Sequence, residues 1–197
     1  MRRKRRIQRG EKITNEDKNK EAGVYSSLIV RAVGNRIKAL HFSDGAFFFL
    51  AFLVFACDQL SKLWVRRSLL PGETLPLIPD IFHITYVRNP GAAFGLFANQ
   101  TPFFIAISLL MVAVILLGGR FLSGRFSLIR LALSLQLGGV LGNLSDRIRL
   151  GSVTDFLDFR FWPVFNIADI ALVIGIVLLI INLIYNESFF YENNGRA

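Results

Sequence analysis

Residues Pro102–Gly119 read PFFIAISLLMVAVILLGG, with no charged side chain anywhere in the run. A backbone in hydrocarbon must satisfy its own N–H and C=O groups, so an apolar run of this length reads as a membrane-crossing helix. Three further runs share its character. Gly45–Val65 is interrupted near its end by Asp58 and Lys62, Phe126–Ser145 carries one arginine near its start, and the last runs from Ile167 to Tyr185. The expected spans are therefore about 45–65, 102–122, 126–145 and 167–185. A soluble domain could hide one such helix in its core, but not four within 197 residues. Composition agrees: 53% of residues are hydrophobic, only 19% are charged and 19 are Phe.

The net charge of +9 is unevenly spread, because twelve Lys/Arg and five Asp/Glu precede Gly45. A run such as Arg2-Arg3-Lys4-Arg5-Arg6 suits a nucleic-acid arm, yet no nucleic-acid-reading motif accompanies it. Ahead of a hydrophobic helix it is better explained as a cytoplasmic anchor touching anionic membrane lipids. The leader, the turn near Ser123 and the C-terminal end together carry sixteen basic residues, against six in the other two loops. Both termini are accordingly expected in the cytoplasm, with loops 66–101 and 146–166 outside. The chain divides into a basic, disordered tail over 1–41 with an amphipathic piece around Tyr25–Leu40, a four-helix membrane domain over 42–187, and a second tail over 188–197. The first apolar run comes too late to be a cleavable signal peptide. A lone cysteine, Cys57, excludes an intramolecular disulfide and reads as a small buried residue.

The outer loops have structure of their own. Ile81–Val87 and Val153–Phe161 are rich in strand-forming residues, Pro71-Gly72 punctuates the first loop, and Asn89-Pro90-Gly91 makes a turn within it. The fold class expected is an all-α polytopic membrane protein: four transmembrane helices carrying a small β-rich extracytoplasmic layer.

Ionisable residues within or beside a membrane are costly, and here they converge. Asp58 and Lys62 share one helix face at i, i+4; Asp146 and Arg147 close the third span; Asp155 and Asp158 lie in the second outer loop; Asp169 opens the fourth span. The expected topology brings all of them to the outer face. Each also has a plainer reading. Asp58–Lys62 is first of all a structural ion pair. Asn166-x-x-Asp169 has the spacing of a helix cap, with Asp169 at the positive dipole end. Asn143-x-x-Asp146 has the same spacing at a helix end, where capping fails and pairing with Arg147 or Arg149 is the alternative. Asp158 is as compatible with a solvated position as with a buried one.

Two neighbouring carboxylates in low dielectric cannot both ionise easily, so one retains a proton while the other can activate a water against a peptide carbonyl. Other peptidase chemistries lack their parts: there is no His-Glu-x-x-His zinc helix, no Gly-x-Ser-x-Gly elbow, and no histidine placed to activate Cys57.

Five stretches carry a closer likeness: Asp58-Gln59-Leu60-Ser61-Lys62, Asn89-Pro90-Gly91-Ala92-Ala93-Phe94-Gly95, Gly138–Arg147, Val153-Thr154-Asp155-Phe156 and Phe165-Asn166-Ile167-Ala168-Asp169. In this order they resemble the five blocks of the lipoprotein signal peptidases, also called signal peptidase II, over about Gly45 to Tyr185. The resemblance implies an aspartyl endopeptidase of the bacterial cytoplasmic membrane that removes signal peptides from prolipoproteins, cutting before the diacylglyceryl-modified cysteine. By matched position it implies Asp155 and Asp169 as the catalytic pair. Asn89, Gly91, Asn143, Arg147, Asn166 and Ala168 match positions lining or supporting the substrate site, and Asp58, Lys62 and Asp146 are structural polar positions. It implies sensitivity to the cyclic peptide globomycin, and no cofactor or metal.

Two features depart from the family pattern, namely the long basic leader and the short segment between Asp155 and Asp169. The rival readings are a small transporter or scaffold whose acids bind a cation or proton, and an intramembrane aspartyl protease with another substrate. The absence of repeats and broken helices weighs against the first.

Overall fold

The computed structural model describes residues 43–91, 100–121 and 127–194. The basic leader, with the amphipathic piece expected in it, and residues 92–99 lie outside the described residues. The elements in order are α1 Asp44–Ser68, β1 Thr74–Ile78, β2 Phe82–Asn89, α2 Thr101–Phe121, α3 Ser127–Leu150, β3 Val153–Asp158 and α4 Ile167–Asn194. All four helices contain a stretch long and apolar enough to cross a bilayer. The chain is a multi-pass membrane protein with a small sheet, as its sequence indicates.

The helices outrun the apolar stretches that announce them. α1 continues to Ser68 and α3 to Leu150, with Arg66, Arg67, Arg147 and Arg149 in their last turns. Cations there suit the negative end of the helix dipole, so polar residues end the greasy run without ending the helix. At the other end of α1, Ser43 caps the helix by accepting from the Ala46 N–H at 3.2 Å.

The helices alternate in direction, as successive membrane crossings impose. α1 and α3 are parallel: Asp44 pairs with Arg130 at their starts, and Lys62 donates to Asn143 near their ends. α2 and α4 run against α3. Thr101 at the start of α2 donates to the Gly151 carbonyl just past α3, and Asn143 late in α3 donates to Asp169 early in α4. α3 is central, with 61% of its span buried in protein, against 22% for α1, 11% for α2 and 17% for α4. Protein therefore surrounds α3 where lipid would surround the others, which is why it tolerates the lowest hydropathy of the four. Small residues permit the close approach. A methyl group on Gly142 would lie 2.5 Å from the Asp58 carboxylate, and one on Gly139 would lie 2.6 Å from the Ala168 carbonyl.

The three strands form one antiparallel sheet in the order β1-β2-β3. The chain passes from α1 into β1 through a turn at Pro71 and Gly72, the latter at φ +88, and the Gly72 N–H donates to the Tyr86 carbonyl. Strand β1 is a structural addition to the sequence reading. Its residues TLPLI are all exposed, it contains Pro76, and it lies at the sheet edge, where a missing N–H costs least. Strand β3 ends at Asp158, short of the expected Phe161, because Arg160 turns the chain at φ +66. A cluster of Val65, Ile84, Tyr86 and Phe156 roots the sheet on the end of α1. Cys57 corrects an expectation: it is exposed on α1 and not buried in the protein interior.

Candidate active site

At the end of α1 a closed polar cluster forms around Lys62, which is wholly buried along with Asp58. The ammonium has three protons and three partners: Asp58 Oδ2 at 2.9 Å, Asp146 Oδ2 at 3.2 Å and Asn143 Oδ1 at 2.8 Å. Asp58 also accepts the Ala168 N–H at 3.0 Å, and Asp146 accepts the Thr154 N–H at 3.0 Å. Gln59 donates to Asp58, to the Gly142 carbonyl and to Asp146, and Arg66 approaches Asp146 at 3.5 Å and donates to Thr154. Two carboxylates thus face two cations, and α1, α3, β3 and α4 meet there.

Asp155 and Asp169 lie beside this cluster and open onto a cleft of about 420 Å³. Asp155 is placed by β3. It stands three residues from Asp158, so the period of two sends these side chains to opposite faces of the strand. Its oxygens accept from Asn89 Nδ2 at 2.9 Å and Asn166 Nδ2 at 2.6 Å. Asp169 lies in the first turn of α4 and accepts from Asn143 Nδ2 at 2.8 Å and from the Asn166 N–H at 3.1 Å. The Asp169 N–H returns a bond to Asn166 Oδ1 at 3.0 Å. The helix-cap spacing is therefore a working capping box, and its Asn166 also spans the two carboxylates. Burial, then the charge of Asp169, raise the Asp155 carboxyl from 3.8 to about 6, against the hydrogen bonds of Asn89 and Asn166 and the field of Lys62.

The cleft wall is mixed. Asn89, Gly91, Asn143 and Arg147 line it together with apolar side chains including Phe104, Met111, Trp162 and Leu172. Gly91 is held by its N–H bond to Asn89 Oδ1 at 3.0 Å, and Arg147 donates to the Gly91 carbonyl at 3.3 Å while lying 4.8 Å over the Phe104 ring. Ala168 is fully buried behind the pair.

All the residues singled out in the sequence thus gather at one end of the bundle, with one partnership corrected and one open setting decided. Asp146 does not pair with Arg147 or Arg149; its partners are Lys62 and Arg66. Successive helical residues point about 100° apart, so Asp146 faces α1 while Arg147 faces the cleft. Asp158 is not solvated either. It is buried, accepts from Thr85 at 2.8 Å and from the Arg160 N–H at 2.8 Å, and pairs with the Arg160 guanidinium. Burial pushes its carboxyl up, but these bonds outweigh that and hold it below 3.8. Gln59, Arg66 and Thr154 carry much of the network without being singled out from the sequence. A glutamine beside Asp58 in an apolar helix is the one signal that pointed there.

Fold and site together define a polytopic membrane protein with a buried pair of carboxylates beside a cleft. A family model described as signal peptidase II matches residues 50–185. The lipoprotein signal peptidase of Moorella thermoacetica is 54% identical over 68% of this chain and 89% of its own length. That of Clostridioides difficile is 46% identical over 69% and 93%. A solved bacterial membrane enzyme, obtained by the in meso method, superposes with a TM-score of 0.70 at 31% identity, covering 75% of this chain and 93% of that one. The chain belongs to the signal peptidase II family.

Proposed function

We propose that this protein is an aspartic endopeptidase that removes signal peptides from prolipoproteins, with Asp155 and Asp169 as the catalytic pair. The observation that carries this reading is the sharing of Asn166 between two carboxylates that open on one cleft, one of them raised to about 6. In the reaction, the ionised member takes a proton from water as the water oxygen attacks the scissile carbonyl carbon. The protonated member donates to the carbonyl oxygen, which stabilises the tetrahedral intermediate. Collapse reforms the carbonyl and breaks the C–N bond, and the amine leaves with a proton from the pair. The apolar wall of the cleft, continuous with α2 and α4, suits a substrate that arrives through the membrane and carries a diacylglyceryl group.

The excess of basic residues on the leader and the turn near Ser123 supports cytoplasmic termini in a bacterial inner membrane, with the site at the outer face. The test is turnover of a diacylglyceryl-modified prolipoprotein by the full chain in detergent, with and without globomycin. Cleavage just before the lipidated cysteine, blocked by globomycin, is expected. Equal cleavage of an unlipidated precursor would overturn the substrate assignment.

A further inference from the structure

Lys62 has no part in the steps above, yet its ammonium reaches the pair through one side chain. Its bond to Asn143 Oδ1, shared with Asn166 Nδ2 at 3.1 Å, leaves the Asn143 amide only one orientation, with its NH2 toward Asp169. An amide whose oxygen is held by an ammonium is a stronger donor from its nitrogen. Asp169 further accepts a main-chain N–H at a helix start and lies partly open to the cleft, whereas Asp155 is 3% exposed and receives only side-chain amides. A charge is therefore better accommodated on Asp169.

We propose that Lys62 is a positioning residue which, through Asn143, holds Asp169 as the ionised member of the pair and so leaves the shared proton on Asp155. The assignment rests on the catalytic pair proposed above. It makes Asp169 the group that accepts the proton of the attacking water, and Asp155 the donor to the carbonyl oxygen. The charged and titratable groups around the pair are Asp58, Lys62 and Arg66 from α1, Asp146 and Arg147 from α3, Asp155 on β3 and Asp169 itself on α4. Lys62 is the cation among them that contacts a direct donor to Asp169.

The experiment is the pH dependence of prolipoprotein turnover by the full chain in detergent, normalised to folded protein. Lys62→Met combined with Asp58→Asn removes one charge of each sign and leaves the cluster neutral, while Asn166 still holds Asn143. This double variant should lose at least tenfold in kcat, keep KM within about twofold, and move its acid limb up by about one pH unit. Asp58→Asn alone keeps the ammonium and removes a neighbouring negative charge, so its acid limb should move the opposite way. A purely structural role would lower the yield of folded enzyme and move neither limb. A folded double variant with its acid limb in place overturns the proposal. If the double variant does not fold, an unmoved limb in Asp58→Asn overturns it equally. Asp155→Asn and Asp169→Asn, measured alongside, separate the two claims: activity in either defeats the catalytic pair, whereas loss of activity in both, with the acid limbs of the Lys62 and Asp58 variants unmoved, defeats only the role of Lys62.

Discussion

Two carboxylate pairs lie side by side at one end of the bundle, and they are treated in opposite ways. Asp58 and Asp146 both touch the Lys62 ammonium, Asp146 is also approached by Arg66, and both acids are closed off from solvent. Asp155 and Asp169 are touched by asparagine amides and one main-chain N–H, and they open on a cleft. In low dielectric the first arrangement stabilises two charges, whereas the second leaves two carboxyls competing for one. The difference is between an ion-paired fastener and, on the proposed function, a pair that exchanges a proton. Asn143 is the link between them.

The sharpest break of that contrast is at the open pair. Asp155→Asn or Asp169→Asn should each lower prolipoprotein turnover at least a thousandfold, on the order expected when one member of a catalytic unit is removed. The double change should cost little more than either alone. Both single variants should fold, since an amide keeps the volume and most of the hydrogen bonds. Near-normal turnover in Asp155→Asn would remove it from the pair.

At the closed pair the loss should appear in stability. Lys62→Met leaves buried Asp58 without a cation and Asp146 with Arg66 alone, and should cost about 3–5 kcal/mol, read as a lower apparent Tm in detergent. A Tm equal to that of the parent chain would mean that the cluster is not fastened by its charges.

The open pair should show the reverse sign. The Asp155 carboxyl is raised in the folded chain, from 3.8 to about 6. The folded state therefore binds the extra proton, and stability falls as pH rises from about 4 to 6 and stays lower above that. Asp155→Asn escapes this loss of up to about 3 kcal/mol. Its Tm relative to the parent should rise over that interval and level off beyond it. A difference independent of pH would refute the shift.

The smallest effect should come from Asp158, outside both pairs. Its carboxyl is held below 3.8, so the stability it contributes is present above that value and lost as pH falls through the lower one. Asp158→Asn should cost about 1 kcal/mol at pH 7, because its Arg160 partner is half exposed. Thermal unfolding at pH 7 and pH 3 checks both statements. An unchanged Tm at pH 7 would return Asp158 to the solvated position that its sequence setting allowed.

The sequence by itself determined that four helices cross the membrane, that a small β layer accompanies them and at which end of the bundle the polar residues meet. These properties follow from the length and periodicity of apolar runs and from the cost of charge in lipid, all of which are local. It also marked Asn166-x-x-Asp169 as a helix start, because a capping box needs only residues three apart. What only the tertiary structure decided was partnership. Asp146 belongs to Lys62 and not to its neighbour Arg147, Asp158 belongs to Thr85 and Arg160 and not to solvent, and Cys57 is exposed. Strand β1 exists only because β2 is there to pair with it. The physical reason is the same in each case: a buried polar group is satisfied by whatever the packing of distant segments brings within about 3 Å. In this chain it is Gly139 and Gly142 on α3 that let α1 and α4 come that close.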